Sequence, residues 1–292
     1  MKVLVLGGSG MLGHRATAEL AGHFLTMATS RAPLPPAVAG RVHNVAGIDA
    51  TTFEAVRKVL EEQRPETVLN CIGIIKQAAA ATMPIPSIEI NALFPHRVAE
   101  VCRSIGARLI HISTDCVFSG RKGMYREGDF PDADDLYGRT KFLGEVGGEG
   151  ALTLRTSIIG RELAGASGLI EWFLSNRGGE VAGYSEAVFS GLTTAELSRV
   201  IVRVIEQHPD LTGVYHVSAE PISKLRLLEL ANAAFGANVR ISPSSALRID
   251  RSLDSSRFRA ATGWLPPTWE AMIREMAADP TPYDEWRASL EA

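Results

Sequence analysis

Cysteine is scarce: Cys71, Cys102 and Cys116 are the only three in 292 residues. They are odd in number, far apart and without CxxC or Cys/His spacing. That predicts neither a disulfide framework nor a zinc site and fits a reducing cytoplasm. No uninterrupted apolar run approaches the roughly 18 residues of a transmembrane helix. At the N-terminus only Val3 to Leu6 separate Lys2 from Gly7, too few for a signal-peptide core. Neither sign of charge dominates: 30 Lys plus Arg face 33 Asp plus Glu, for a net charge of −3. With no basic run there is no electrostatic footprint for nucleic acid or an anionic membrane, though a small anion could still be held locally. Internal repeats and low-complexity segments are also missing. What is present, 46% hydrophobic and 22% charged residues, excludes bulk disorder and fibrous classes. The length allows one large α/β domain or two moderate ones, with a core that needs no disulfide or metal.

Strand-like and helix-like patterns alternate. Lys2–Leu6 is a continuous apolar run of the kind buried in a parallel sheet. Further strands are predicted at Phe24–Thr29, Thr67–Cys71, Arg108–Ser113, Leu152–Thr156 and Gly213–Val217. Leu12, Ala16 and Leu20 mark a first helix. Phe53, Val56, Val59 and Leu60 mark a second, behind a capping box at Thr51-Thr-Phe-Glu54. Phe94, Val98, Val101, Cys102 and Ile105 make one helix face. A helix near Ala195–Glu206 carries a capping box at Thr193 and Glu196. Later helices are predicted at Leu225–Phe235 and Trp269–Ala277, and Gln77–Pro86 reads as a loop. The expected fold is α/β, a Rossmann-type doubly wound parallel sheet with a smaller, discontinuous α+β substrate lobe. The predicted division is 1–157 and 188–217 for the dinucleotide-binding domain, with 158–187 and 218–292 for the lobe.

Gly7, Gly10 and Gly13 follow the first strand and open the first helix. The first glycine suits a tight turn, the second close approach of backbone to a pyrophosphate, the third close helix–sheet packing. The spacing is GxxGxxG, one residue away from the GxGxxG fingerprint. The helix start adds free N–H groups and a positive dipole end, so Gly7, Gly10, Met11 and Leu12 are candidate cofactor contacts. The second strand ends Thr29-Ser30-Arg31 with no acidic side chain to take a ribose 2′-hydroxyl. This favours NADPH, with NADH as the alternative, and makes Ser30 and Arg31 candidates; a solvated surface arginine is the plainer reading. Asp49 could contact the adenine side or serve as a turn residue.

Tyr137 and Lys141 form YxxxK. On a helix they share a face, and a nearby ammonium favours the phenolate, easing proton exchange with a carbonyl or hydroxyl oxygen. Such pairs arise by chance, but this one accompanies Ser113-Thr114-Asp115 at a strand's carboxyl end, where open α/β sheets bind ligands. With Asn70-Cys71-Ile72-Gly73, Asn91-Ala92, Ser113 to Gly120 and Arg155-Thr-Ser157, the chain resembles the extended short-chain dehydrogenase/reductase family. Within it, the likeness is to sugar-nucleotide reductases of the dTDP-4-dehydrorhamnose reductase kind.

The resemblance implies Thr114, Tyr137 and Lys141 as catalytic residues, with Asn91 as helper that bends its helix and holds a water near the lysine. It implies Cys71, Ile72, Gly73 and Ser157, with Tyr137 and Lys141, beside the cofactor. Lys76, Cys116, Val117, Phe118 and Trp172 are the implied substrate contacts. Cys116 departs from the aromatic residue usual there, and the missing Glu after Thr114-Asp115 tells against a 4,6-dehydratase. The expected reaction is NADPH-dependent reduction of a keto group, at C4, on a nucleotide-linked deoxysugar. The alternatives are a sugar-nucleotide epimerase with retained NAD, or a silent regulatory subunit like that of methionine adenosyltransferase. No nucleic-acid or membrane partner is expected; the oligomeric state is open and compatible with a homodimer.

Plainer readings stand for other residues. His111 and His216 read as core histidines, and Cys71 and Cys116 as pocket walls. Trp172 and Phe173 read more readily as core than as a stacking platform. Lys76 could reach a diphosphate or stand solvated.

Overall fold

The computed structural model describes residues 1–35, 38, 40, 42–77 and 79–291. Seven parallel strands form one sheet: β1 (Lys2–Leu6), β2 (Leu25–Ser30), β3 (His43–Ala46), β4 (Thr67–Asn70), β5 (Arg108–Thr114), β6 (Ala151–Thr156) and β11 (Gly213–His216), in the order β3-β2-β1-β4-β5-β6-β11. The order reverses direction at β1, the switch point of a doubly wound sheet. Alternate side chains of β1 explain the two layers. Val3 and Val5 face a core with Leu12, Ala16 and Leu20 of α1 (Met11–Leu20). Leu4 and Leu6 face the opposite core, with Val56, Val59 and Leu60 of α2 (Phe53–Gln63) and Phe94 and Val98 of α3 (Phe94–Ile105). These four side chains of β1 are fully buried, each contributing about 1.5–3 kcal/mol of transfer free energy.

Three expectations change. The short strand β3 is added at the edge, announced by no apolar run. Gln77–Pro86 is largely helical turns, at Ala79–Thr82 and Pro84–Ser87, running into a π-helical stretch at Ile88–Leu93; residue 78 lies outside the described residues. The capping box before α2 does not form. Thr52, one residue on, is the N-cap and makes no side-chain bond, while Thr51 gives its hydroxyl and its N–H to Asp49 Oδ1, at 2.7 and 2.9 Å. The second box half-forms: Thr193 Oγ1 accepts the Glu196 N–H at 3.3 Å, while the Glu196 carboxylate turns to Arg199 and the Trp264 indole.

The remaining chain builds the smaller lobe and the C-terminal helices. α4 (Leu136–Leu143) follows β5; then come β7 (Ile158–Ile159), α5 (Leu169–Ser175), β8 (Glu180–Tyr184), β9 (Ala187–Phe189) and β10 (Leu192–Thr193). α6 (Thr194–Gln207) packs on α1, returning the chain to the sheet. After β11 come β12 (Ile222–Ser223), α7 (Lys224–Phe235), β13 (Arg240–Ser244), β14 (Ile249–Asp250), α8 (Ser256–Thr262), α9 (Trp269–Ala277) and α10 (Tyr283–Glu291). β9 pairs with β12 and β14, and β13 with β8. A boundary at 188 therefore cuts β9, which belongs with the lobe strands. α10 in turn lies against α1 through Tyr283 and His14 rather than within the lobe. Lobe residues Leu227, Phe258 and Trp269 share one continuous core with the α1 and α6 side of the sheet. Among the described residues, no helix is long and apolar enough to cross a membrane, and no His/Cys/Asp/Glu cluster could hold a metal ion.

Candidate active site

The glycine turn closes on itself. Gly7 takes a positive φ of 85°, open to glycine at no steric cost. Its carbonyl accepts the Gly10 N–H at 3.1 Å, while Gly8 N–H reaches Thr29 O at 2.8 Å. A Cβ on Gly13 would lie 1.9 Å from Gly7 O, so the third glycine is the one that lets α1 pack on the turn. A Cβ on Gly10 would meet only Gly7 O, at 3.4 Å, and no side chain caps α1. The turn is thus an open cradle facing uncapped helical N–H groups, which fits a diphosphate. Met11 is partly exposed at this turn, whereas Leu12 is buried and offers it only backbone.

At the end of β2 the two candidates separate. Ser30 is buried and donates to Asn44 Oδ1 of β3 at 2.9 Å, whereas Arg31 is exposed. Thr51's hydroxyl and N–H, with Arg31 nearby, hold the Asp49 carboxyl below its ordinary range.

The second half of the site is assembled by α4. Asp135 is its N-cap, accepting Gly138 N–H at 2.7 Å, and Lys76 bonds the other carboxylate oxygen at 2.5 Å. Lys76 therefore braces the start of the YxxxK helix. Gly138 lets α4 sit on the strand end: a Cβ there would lie 2.2 Å from Cys116 O. Lys141 is buried and donates to Ile112 O of β5 at 2.9 Å. Burial lowers its pKa to about 8, with Glu145 and Cys71 pulling it upward. Asn91 sits in the π-helical stretch, and its amide brackets Ile74, accepting its N–H at 2.8 Å and donating to its carbonyl at 3.1 Å. A Cβ on Gly73 would lie 3.3 Å from Asn91 Oδ1 and 3.8 Å from Lys141 Nζ, so these three share one corner of the sheet edge.

Thr114 ends β5, accepts the Cys116 N–H at 3.1 Å and directs its hydroxyl to Asp115 Oδ1 at 3.2 Å. Burial raises the Tyr137 pKa, and Cys116, Asp115 and Asp135 add to the rise; the Thr114 hydroxyl beside it acts the other way. Lys141 is held at Ile112 O, and burial is the largest influence on the Tyr137 phenol, favouring its protonated form. Burial likewise pushes the Cys71 and Cys116 thiols up to about 12, so neither is a thiolate. Ser157 reaches Asp115, itself buried with a raised pKa.

Other candidates lie apart. Val117 and Phe118 are fully buried, Phe118 stacked on Tyr125 at 4.2 Å between ring centroids. Both side chains belong to a small buried cluster with Tyr125 and Leu253. Trp172 stands on α5 of the lobe at 39% exposure, while Phe173 beside it is core. His111 and His216 are fully buried and neutral. Burial carries the first well below its ordinary pKa and, with Arg155, the second to about 4.

The structure adds a residue that the motif reading missed. The Glu145 side chain is only 5% exposed, bonded by Arg155 at 2.7 and 2.6 Å and by Ser113 Oγ at 2.7 Å. Its signal in the sequence is its place four residues after Lys141.

A doubly wound parallel sheet with a glycine turn after its first strand, and a Tyr/Lys pair on the helix that follows β5, is the arrangement of an extended short-chain dehydrogenase/reductase. More narrowly, the chain belongs to the family described as RmlD substrate binding domain, which it matches over residues 1–281. A dTDP-4-dehydrorhamnose reductase of Streptomyces griseus is 36% identical over 143 residues, 49% of this chain and 43% of the relative. The aligned stretch thus spans less than half of that relative's length. The methionine adenosyltransferase 2 subunit beta of Xenopus tropicalis is 25% identical over 264 residues, 85% of this chain and 74% of the relative. A crystal structure of dTDP-4-dehydrorhamnose reductase from Bacillus anthracis in complex with NADP shares the fold, with a TM-score of 0.77 at 22% identity, covering 94% of this chain and 98% of that one.

Proposed function

We propose that the protein is an NADPH-dependent ketoreductase acting on the C4 carbonyl of a nucleotide-linked deoxysugar. The observation that carries this reading is the docking of α4: Lys141 is bonded to Ile112 O, and Tyr137 lies beside Thr114 at the carboxyl end of β5. A bound reduced nicotinamide supplies the hydride. Tyr137, held protonated by burial, is the acid that gives its proton to the carbonyl oxygen. The Thr114 hydroxyl holds that oxygen in line with the phenol. Lys141, charged below about pH 8, would stabilise the phenolate left behind and would be the residue to hold the cofactor's ribose hydroxyls. Asn91 keeps the Ile74 backbone, and with it the loop after β4, in place beside Lys141.

Support for NADPH comes from the glycine cradle, from exposed Arg31 at the end of β2 where no acid stands, and from the NADP complex of the Bacillus anthracis neighbour. Substrate specificity falls to the lobe, where Trp172 is the exposed aromatic of α5. Tyr137→Phe is expected to keep NADPH affinity within about twofold and to lose at least ~100-fold in turnover. NADPH absorbance with a dTDP-4-keto-6-deoxysugar gives the rate, and an unchanged rate would sink the assignment.

The likeness to a methionine adenosyltransferase subunit along 85% of the chain favours one second reading, a partner-binding regulatory subunit. Co-purification with a larger enzyme, together with no turnover of any keto-sugar, would select it. Stoichiometric NAD retained through purification would point instead to an epimerase.

A further inference from the structure

The family match ends at residue 281, and α10 begins at Tyr283. This last helix is tied to the glycine turn through one buried histidine. His14, in the first turn of α1, is 3% exposed. Its Nδ1 lies 2.9 Å from Gly10 O, and its Nε2 lies 3.0 Å from the Tyr283 hydroxyl. A carbonyl only accepts, so Nδ1 carries the proton and Nε2 accepts from Tyr283. Burial lowers the imidazole's pKa, with a smaller push the same way from Arg15, against upward contributions from the Gly10 carbonyl, Asp279 and Glu171. The Tyr283 hydroxyl also stands 3.4 Å from Asp279 Oδ2, a longer and weaker alternative for its single proton.

Gly10 O therefore accepts twice from the same residue, from His14 Nδ1 and from the His14 backbone N–H at 3.0 Å. A trans peptide sets its N–H opposite its C=O. Fixing the Gly10 carbonyl along the helix thus fixes the Met11 N–H, in the same peptide plane, pointing out of the helix start into the cradle.

The C-terminal helix is itself anchored. Arg161 binds Glu171 at 2.5 Å and Asp284 at 2.8 Å, and its guanidinium lies 4.8 Å from the Tyr283 ring centroid. Arg287 joins Glu171 and Asp284, and Arg15 meets Asp279 at 3.3 Å.

We infer that Tyr283, acting through His14, is a positioning residue that orients the Gly10–Met11 peptide to receive the dinucleotide's diphosphate. The inference rests on the reading that the Gly7–Gly13 turn takes NADPH. It assigns to α10 a part in cofactor affinity.

The test is the dissociation constant for NADPH, by titration calorimetry of the full chain, with the melting temperature measured alongside. Tyr283→Phe leaves Nε2 without a donor and is expected to weaken NADPH about five- to tenfold. Two substitutions at position 14 separate positioning from simple anchoring. Asn places an amide where Nδ1 was and keeps the bond to Gly10 O, whereas Gln places one where Nε2 was and keeps only the contact with Tyr283. His14→Asn is expected to hold affinity within about threefold, and His14→Gln to lose about tenfold or more, whichever of the two melts lower. Unchanged affinity in Tyr283→Phe, or equal losses in the two position-14 variants, would overturn the inference. A parent chain that binds no NADPH would instead overturn the dinucleotide reading beneath it.

Discussion

Glu145 and Arg155 form a bidentate ion pair with side chains 5% and 4% exposed. Ser113 donates to the same carboxylate, the guanidinium continues to His216 Nε2 at 3.3 Å, and it lies 5.4 Å from the Phe118 ring centroid. Glu145→Leu would leave Arg155 buried with only a neutral imidazole and a ring for company. Breaking a buried pair from one side costs about 3–5 kcal/mol, because the remaining charge loses its compensation. With a urea slope near ~3 kcal/mol/M for a chain of this size, the midpoint should fall by roughly 1–1.7 M. Glu145→Leu combined with Arg155→Met removes both charges and should recover most of the loss, since apolar replacement of a whole pair is often close to neutral. Urea melts followed by circular dichroism supply all three midpoints. The reasoning is refuted if Glu145→Leu lies within about 1 kcal/mol of the parent, or if the double variant is no more stable than Glu145→Leu alone.

The same carboxylate raises the Lys141 pKa against burial, which gives a pH dependence. The pH profile of kcat/KM should fall on its alkaline side with an apparent pKa near about 8, and a flat profile to pH 10 would count against a charged Lys141. Stability should move the other way. The folded pKa lies below the unfolded 10.5, so between about pH 8 and 10.5 the unfolded chain binds more protons, and stability on this account rises with pH. Gly13→Ala brings a Cβ to 1.9 Å from a backbone oxygen and should destabilise by about 1–3 kcal/mol. Gly10→Ala meets only one atom at 3.4 Å and should fold normally while losing NADPH affinity, as calorimetry would report.

The sheet was legible in the sequence because strands buried on both faces read as continuous apolar runs, as Lys2–Leu6 does. β3 was hidden because an edge strand with two exposed and two half-buried residues needs no such run. The lobe strands were hidden for another reason: β9 and β12 are three and two residues long, and their pairing joins segments distant in sequence. Within the site, Thr114, Tyr137 and Lys141 could be named from spacing, since one helix face and one strand end place them. That Lys141 would turn to Ile112 O, and that Tyr137 would be governed by burial, depends on how deeply α4 sinks at Gly138. Spacing does not encode that depth.

The three-stranded sheet β12-β9-β14 draws its strands from residues 187–189, 222–223 and 249–250. No stretch of chain contains the lobe without also containing β11 of the main sheet. Its closure loops are long, and their entropy must be offset before the pairing gives anything back. During synthesis the glycine turn and the first five sheet strands can collapse together while the lobe still lacks its third strand. The molecule should therefore pass through a stage in which the nucleotide half of the sheet is formed and the lobe is not, with specificity, and the share of cofactor affinity that α10 supplies, both acquired late as the chain folds.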